Sequence, residues 1–187
     1  MTVQRILKEL CDLANYIDEN EIDSICNRFI TAKEHNKNIF LAGAGRSGCV
    51  VRAFANRLMH LGFHCYMAGE ITAPPIKKED IFFALSGSGK TGSLVNMANT
   101  AKKQEADILT ITLQKEGTIG TMAQAAIVLP GNTRLQDDSS TSFTSIQPVG
   151  SCFEQLSFLT CDGIILKLKE IPQQSNEDLI ARHGNLE

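Results

Sequence analysis

Nowhere among the 187 residues is there a Cys-x-x-Cys pair, although the chain carries six cysteines, Cys11, Cys26, Cys49, Cys65, Cys152 and Cys161. Each falls in or beside an apolar run. The set therefore reads as reduced core thiols of a cytoplasmic protein, not as a disulfide framework or a zinc knuckle. The four histidines, His35, His60, His64 and His183, show no metal-ligand spacing, so no metal is expected, and no other cofactor is implied. Missing too are a signal-peptide core behind Met1-Thr2-Val3-Gln4-Arg5 and any run of about 18 uninterrupted apolar residues, so no membrane partner is expected. A basic surplus is also lacking: the formal charge is −3 and the isoelectric point is near 5.8, which argues against nucleic acid as a partner. What is present, 43% hydrophobic and 21% charged residues, suits one globular domain that buries a real core.

Apolar periodicity supplies the element order. Ile6, Leu10, Leu13 and Ile17 form one helical face, and Ile22, Ile25 and Phe29 another, giving N-terminal helices over about 3–34. An α/β core follows over about 38–170. Its short apolar strands, at 38–42, 64–68, 80–85, 107–112 and 126–130, are separated by helices at 47–61 and 92–104 and a short helix at 118–124. The prolines Pro74 and Pro75 mark a loop, because they remove donors and block helix. Asn132 to Thr141 reads as a long mobile loop. Residues 146–169 read as one long helix with Pro148 in its first turn, and a terminal helix and tail occupy about 175–187. Strands alternating with helices predict a doubly wound α/β three-layer sandwich with a mostly parallel five-stranded sheet.

Two turns in this pattern carry the chemistry: Gly43-Ala44-Gly45-Arg46-Ser47-Gly48 and Ser86-Gly87-Ser88-Gly89-Lys90-Thr91. Each links a strand to a helix, where unsatisfied backbone N–H groups and the positive end of the helix dipole face a bound anion. The hydroxyls of Ser47, Ser86, Ser88 and Thr91 add donors without charge, and Gly45 and Gly87 let the backbone come close. Arg46 is placed to contact a phosphate or a sugar hydroxyl.

Nucleotide readings fit these turns less well. The first satisfies Gly-x-Gly-x-x-Gly, with Glu70 about 20 residues on where a ribose-binding acid belongs, but Arg46 and Ser47 fill its variable positions with phosphate-binding types. The second ends like a nucleoside-triphosphate loop, yet Ala84 stands where that motif needs glycine. The strand from Asp107 to Thr112 also carries its only acid at the wrong end for magnesium. Two hydroxyl-rich loops at the carboxyl ends of one sheet point instead to a small phosphorylated ligand.

These loops, together with Arg57-Leu58-Met59-His60-Leu61-Gly62, Gln147-Pro148-Val149-Gly150-Ser151-Cys152-Phe153-Glu154-Gln155 and Arg182-His183-Gly184-Asn185-Leu186-Glu187, resemble the sugar isomerase (SIS) domain. More narrowly, they are similar to the 6-phospho-3-hexuloisomerases. The resemblance runs from about residue 38 to the end, as one domain. It implies interconversion of D-arabino-hex-3-ulose 6-phosphate and fructose 6-phosphate, a step of formaldehyde fixation by the ribulose monophosphate route, in a homotetramer with shared sites. Other sugar-phosphate isomerases, such as one for arabinose 5-phosphate, and a non-catalytic sugar-phosphate sensor remain open alternatives.

Moving a carbonyl between neighbouring carbons needs a base that takes and returns a proton through an enediolate. Glu154 is the candidate, since Cys152, Phe153, Leu156 and Phe158 around it would raise its pKa if it were buried. A histidine is its natural partner, His183 ahead of His60. Glu70 is expected to line the pocket or cross to a neighbour, and Lys90 is assigned no role.

Overall fold

The computed structural model describes residues 1–131, 145–170 and 182. Two helices lead, α1 (Thr2–Ala14) and α2 (Glu19–Glu34), followed by β1 (Asn38–Gly43), α3 (Arg46–His60), β2 (His64–Met67), β3 (Ile81–Leu85), α4 (Gly92–Lys103), β4 (Asp107–Thr112), β5 (Ala125–Val128) and α5 (Ser151–Glu170). The strands form one sheet in the order β2-β1-β3-β4-β5, and all four pairings are parallel. Strand order reverses between β1 and β3, so the chain leaves those two strands in opposite directions, and a crevice opens beyond their carboxyl ends.

Alternation along the strands separates two cores. Ile39, Leu41, Ile81, Phe83, Leu85, Leu109 and Ile111 face a layer built from α1, α2, α3 and α5. Phe40, Ala42, Phe82, Ala84 and Ile108 face α4, through Leu94, Ala98 and Ala101. Period-two side chains buried on both faces explain why these strands read as continuous apolar runs. In the thicker layer Phe29 of α2 contacts the rings of Phe54, Phe63 and Phe83 at centroid distances of 5.9, 6.2 and 6.0 Å, which joins helix to helix and both to the sheet.

Helix α3 ends in a closed left-handed turn: Phe63 N–H bonds to the Leu58 carbonyl and Gly62 N–H to that of Met59, with Gly62 at φ +81°. Lys33 Nζ donates to the Leu61 carbonyl at 2.7 Å and Arg182 Nη1 to that of His60 at 3.2 Å, so two cations serve the negative pole of the helix.

Several sequence expectations shift. The helix foreseen at 118–124 is one 3₁₀ turn, Gly120–Met122. The long helix begins at Ser151 and not at 146, because Gly150 takes φ +91°, and Pro148 sits in the turn ahead, its carbonyl accepting from Ser151 N–H. Of the cysteines, Cys26, Cys152 and Cys161 are buried and Cys65 partly so, but Cys11 and Cys49 are exposed and not core thiols. Burial pushes the thiol of Cys65 up to about 12 and those of Cys26 and Cys152 up to about 11. The loop expected at Asn132–Thr141 lies outside the described residues, as does the terminal helix apart from Arg182. No helix among the described residues is long and apolar enough to cross a membrane.

Because Phe29 is fully buried among three other rings, Phe29→Ala should cost about 3–5 kcal/mol, through lost transfer energy and the cavity left behind. Urea unfolding at fixed protein concentration measures this, with the fully exposed Ile71→Ala staying within about 0.5 kcal/mol of the parent.

Candidate active site

Both glycine-serine turns fall at the switch point, because Gly43 and Leu85 are paired partners at the carboxyl ends of β1 and β3. The first turn needs glycine at two kinds of position. Gly45, the N-cap of α3, takes φ +57° and ψ −133°, which side chains with a Cβ rarely adopt. Gly43 and Gly48 let the helix pack directly onto the strand: a Cβ at Gly48 would lie 2.8 Å from the Gly43 carbonyl oxygen. Neither Gly45 nor Thr91, the N-caps of α3 and α4, supplies a side-chain cap, whereas α2, remote from the crevice, is capped by the Asp18 carboxylate. The helices that follow the two turns thus leave first-turn N–H groups without a side-chain acceptor.

A cavity of about 650 Å³ opens here, lined by Gly45, Arg46, Ser47, Gly87, Ser88 and Glu154, with Leu113, Phe153 and the segment 148–151 completing the wall. Glu154 lies on the first turn of α5, and its side chain is 17% exposed. Its Oε2 receives Nε of Arg46 at 2.9 Å, and Arg46 Nη1 donates to Ser151 Oγ at 3.1 Å. One guanidinium therefore spans from the first loop to both ends of the first turn of α5. Of the apolar neighbours expected around Glu154, Cys152, Phe153 and Leu156 are buried, while Phe158 is exposed.

The remaining predicted residues separate. Ser86 is buried beneath the second loop, its Oγ 3.5 Å from Thr91 Oγ1, and neither residue lines the cavity. Ser88 Oγ accepts from Lys90 N–H at 3.2 Å, which closes the turn. His60 is buried in the last turn of α3. With a rise of about 1.5 Å per residue, that places it roughly 20 Å from Arg46, so one chain does not bring His60 to Glu154. His183 lies outside the described residues. Glu70 pairs with Arg52 at 2.6 Å and lines a smaller cavity of about 430 Å³ near α4, away from both loops. No cluster of three potential metal ligands occurs among the described residues.

Sequence reasoning did not single out Ser151, Val149, Gly150 or Leu113. The first three stand inside the quoted segment 147–155, but only the folded chain shows them facing the loops across the cavity.

A sequence profile of the SIS domain matches residues 34–156. The chain belongs to the SIS domain family. Among its relatives, the 3-hexulose-6-phosphate isomerase of Bacillus subtilis is 40% identical over 99% of this chain and 97% of its own length. That of Mycobacterium gastri is 34% identical over 96% and 86%. A Methanococcus jannaschii protein, whose crystal structure infers a molecular function of 3-hexulose-6-phosphate isomerase, superposes with a TM-score of 0.79 at 33% identity, covering 98% of this chain and 96% of that one. The SIS fold accounts for the strand order, the parallel sheet and the position of the crevice.

Filling the helix–strand contact tests the anion cradle. Gly48→Ala should weaken binding of fructose 6-phosphate at least about tenfold by calorimetry, since α3 must retreat from β1. Gly163→Ala, whose added Cβ meets nothing within 4 Å, should leave binding unchanged.

Proposed function

We propose that the chain is a 6-phospho-3-hexuloisomerase, interconverting D-arabino-hex-3-ulose 6-phosphate and fructose 6-phosphate. The observation that carries this reading is one largely buried carboxylate, Glu154, facing two anion-cradling loops across a single cavity. Relatives named 3-hexulose-6-phosphate isomerase, similar over nearly the whole chain, supply the substrate class.

In this reading, Gly45, Ser47, Gly87 and Ser88 hold the phosphate, with the buried Ser86 and Thr91 shaping the second loop from below. Glu154 takes the proton from C2 of the 3-ketose, leaving a 2,3-enediolate. A proton then passes between O2 and O3, and Glu154 returns its own to C3. Arg46 lies beside the carboxylate, where it fixes one oxygen and offers its remaining donors to the negatively charged intermediate. Because O6 is esterified, the 3-ketose does not close a five-membered ring through it. A ring-opening acid is therefore less necessary than in an aldose isomerase.

The oxygen-to-oxygen transfer we assign to a histidine, His183 ahead of His60. The length of α3 means that His60 would act only at a site of another copy. Apolar residues left exposed on α1 (Val3 and Leu7) and α5 (Phe158, Leu159 and Leu166) favour pairing of copies into a homotetramer. A cytoplasmic setting fits the reduced thiols and a phosphorylated substrate.

Conversion of enzymatically generated 3-hexulose 6-phosphate to fructose 6-phosphate, with arabinose 5-phosphate in parallel, tests the substrate. Turnover of the hexulose phosphate alone is expected; turnover of only the pentose phosphate, or binding without turnover, overturns the reading. Glu154→Gln should lower kcat by about 10²- to 10⁴-fold in a folded protein, and a variant keeping most activity removes Glu154 as the base. His183→Ala should lower kcat more than His60→Ala. Light scattering should give close to four times the 20.4 kDa chain mass, and a monomer would reject the tetramer.

A further inference from the structure

Residues 146–150 precede the helix that carries Glu154 and lead into the cavity wall at 148–151, and the exposed Ile146 and Val149 leave this segment little packing to hold it. It is tied instead to a side chain at the other end of the sequence. Glu9 of α1 accepts the Ile146 N–H on Oε1 at 3.0 Å and the Gln147 side-chain amide on Oε2 at 2.8 Å. Gln147 N–H in turn bonds to Ser145 Oγ at 3.1 Å. Both carboxylate oxygens are engaged immediately before Pro148, Val149 and Gly150 enter the cavity wall. Partial burial acts to raise the Glu9 pKa, but the bonds from Gln147, Ser145 and Ile146 outweigh it and hold the carboxyl below its ordinary value.

We propose that Glu9 is a positioning residue of the active site: it anchors the segment 146–150, whose residues 148–150 line the cavity, to the N-terminal helix and so sets how tightly the cavity closes on the sugar portion of the ligand. This rests on the isomerase reading of the same cavity. The phosphate is gripped by the loops after β1 and β3, which Glu9 does not touch, so its contribution falls on the side of the ligand facing α5. Charged hydrogen bonds are the stronger class, and Ala at position 9 leaves the Ile146 N–H and the Gln147 amide to water.

Steady-state kinetics of Glu9→Ala should show kcat/KM lower by about tenfold, carried by KM, with kcat within about threefold. Amide exchange of peptides covering 145–150 should accelerate. The reciprocal double variant Glu9→Gln/Gln147→Glu exchanges donor and acceptor across the pair and keeps an oxygen for the Ile146 N–H, so it should recover most of the KM. Glu19→Ala provides the control, because it removes one of the two carboxylates with which α2 holds Lys167 on α5, without touching the wall, and KM should stay at the parent value. An unchanged KM in Glu9→Ala, an equal KM loss in Glu19→Ala, or no recovery in the double variant would overturn the proposal. Should the parent protein fail to turn over hexulose phosphate, the isomerase reading falls, and Glu9 is decided by exchange and by calorimetry with fructose 6-phosphate. Faster exchange with about tenfold weaker binding sustains its role, and no change in either rejects it.

Discussion

Parallel pairing of β1 with β3 is the constraint on which the rest depends. The register sets Gly43 beside Leu85, so the two glycine-serine turns leave the sheet as neighbours, about 4.8 Å apart across the strands. Because the next strand lies on opposite sides for the two, their helices diverge and the crevice between them stays open. Buried side chains on both faces of these strands hold the register, since a slip by one residue would exchange the two cores. The loops' spacing is thus a property of the sheet.

Across the crevice the arrangement is of another kind. The first turn of α5 is located by helix packing and by polar tethers: Arg46 to Glu154 and Ser151, and Glu9 to the preceding segment. The Arg46 side chain is 64% exposed, so its ion pair contributes at most about 1 kcal/mol to stability. Its importance is geometric, as it fixes one carboxylate oxygen and leaves the other to the cavity. One wall is set by backbone pairing and the other by replaceable side chains, so the geometry of the two walls can change separately.

Much of this was legible in the sequence. Apolar runs of strand length separated by helical periods gave the sheet, and the glycine and serine positions gave both loops, because these signals are local. The two leading helices were visible through Ile6, Leu10, Leu13, Ile22, Ile25 and Phe29. What was not legible depends on tertiary placement. That Gly150 adopts a positive φ and delays α5 by one turn cannot be read from a segment whose residues otherwise suit a helix. His60 reads from sequence as a partner second to His183, and only the length of α3 separates it from Glu154 within one chain. The exposure of Cys11 and Cys49 follows from which helix face meets the sheet, and apolar neighbours in sequence do not decide that. Glu9, whose partners lie 137 and 138 positions away, left no local trace.

Helix α3 is treated differently at its two ends. Its far end is closed by the Gly62 turn and met by Lys33 and Arg182, while its near end opens on the cavity without a side-chain cap. A dipole whose negative pole is neutralised acts on its surroundings mainly through the positive one. The helix thereby presents its positive pole toward the crevice, while the charges at its far end lie roughly 20 Å away, more than a Debye length in physiological salt. Lys33 and Arg182 therefore hold the far end of α3 in place and leave the potential at the crevice to the helix's own first-turn N–H groups.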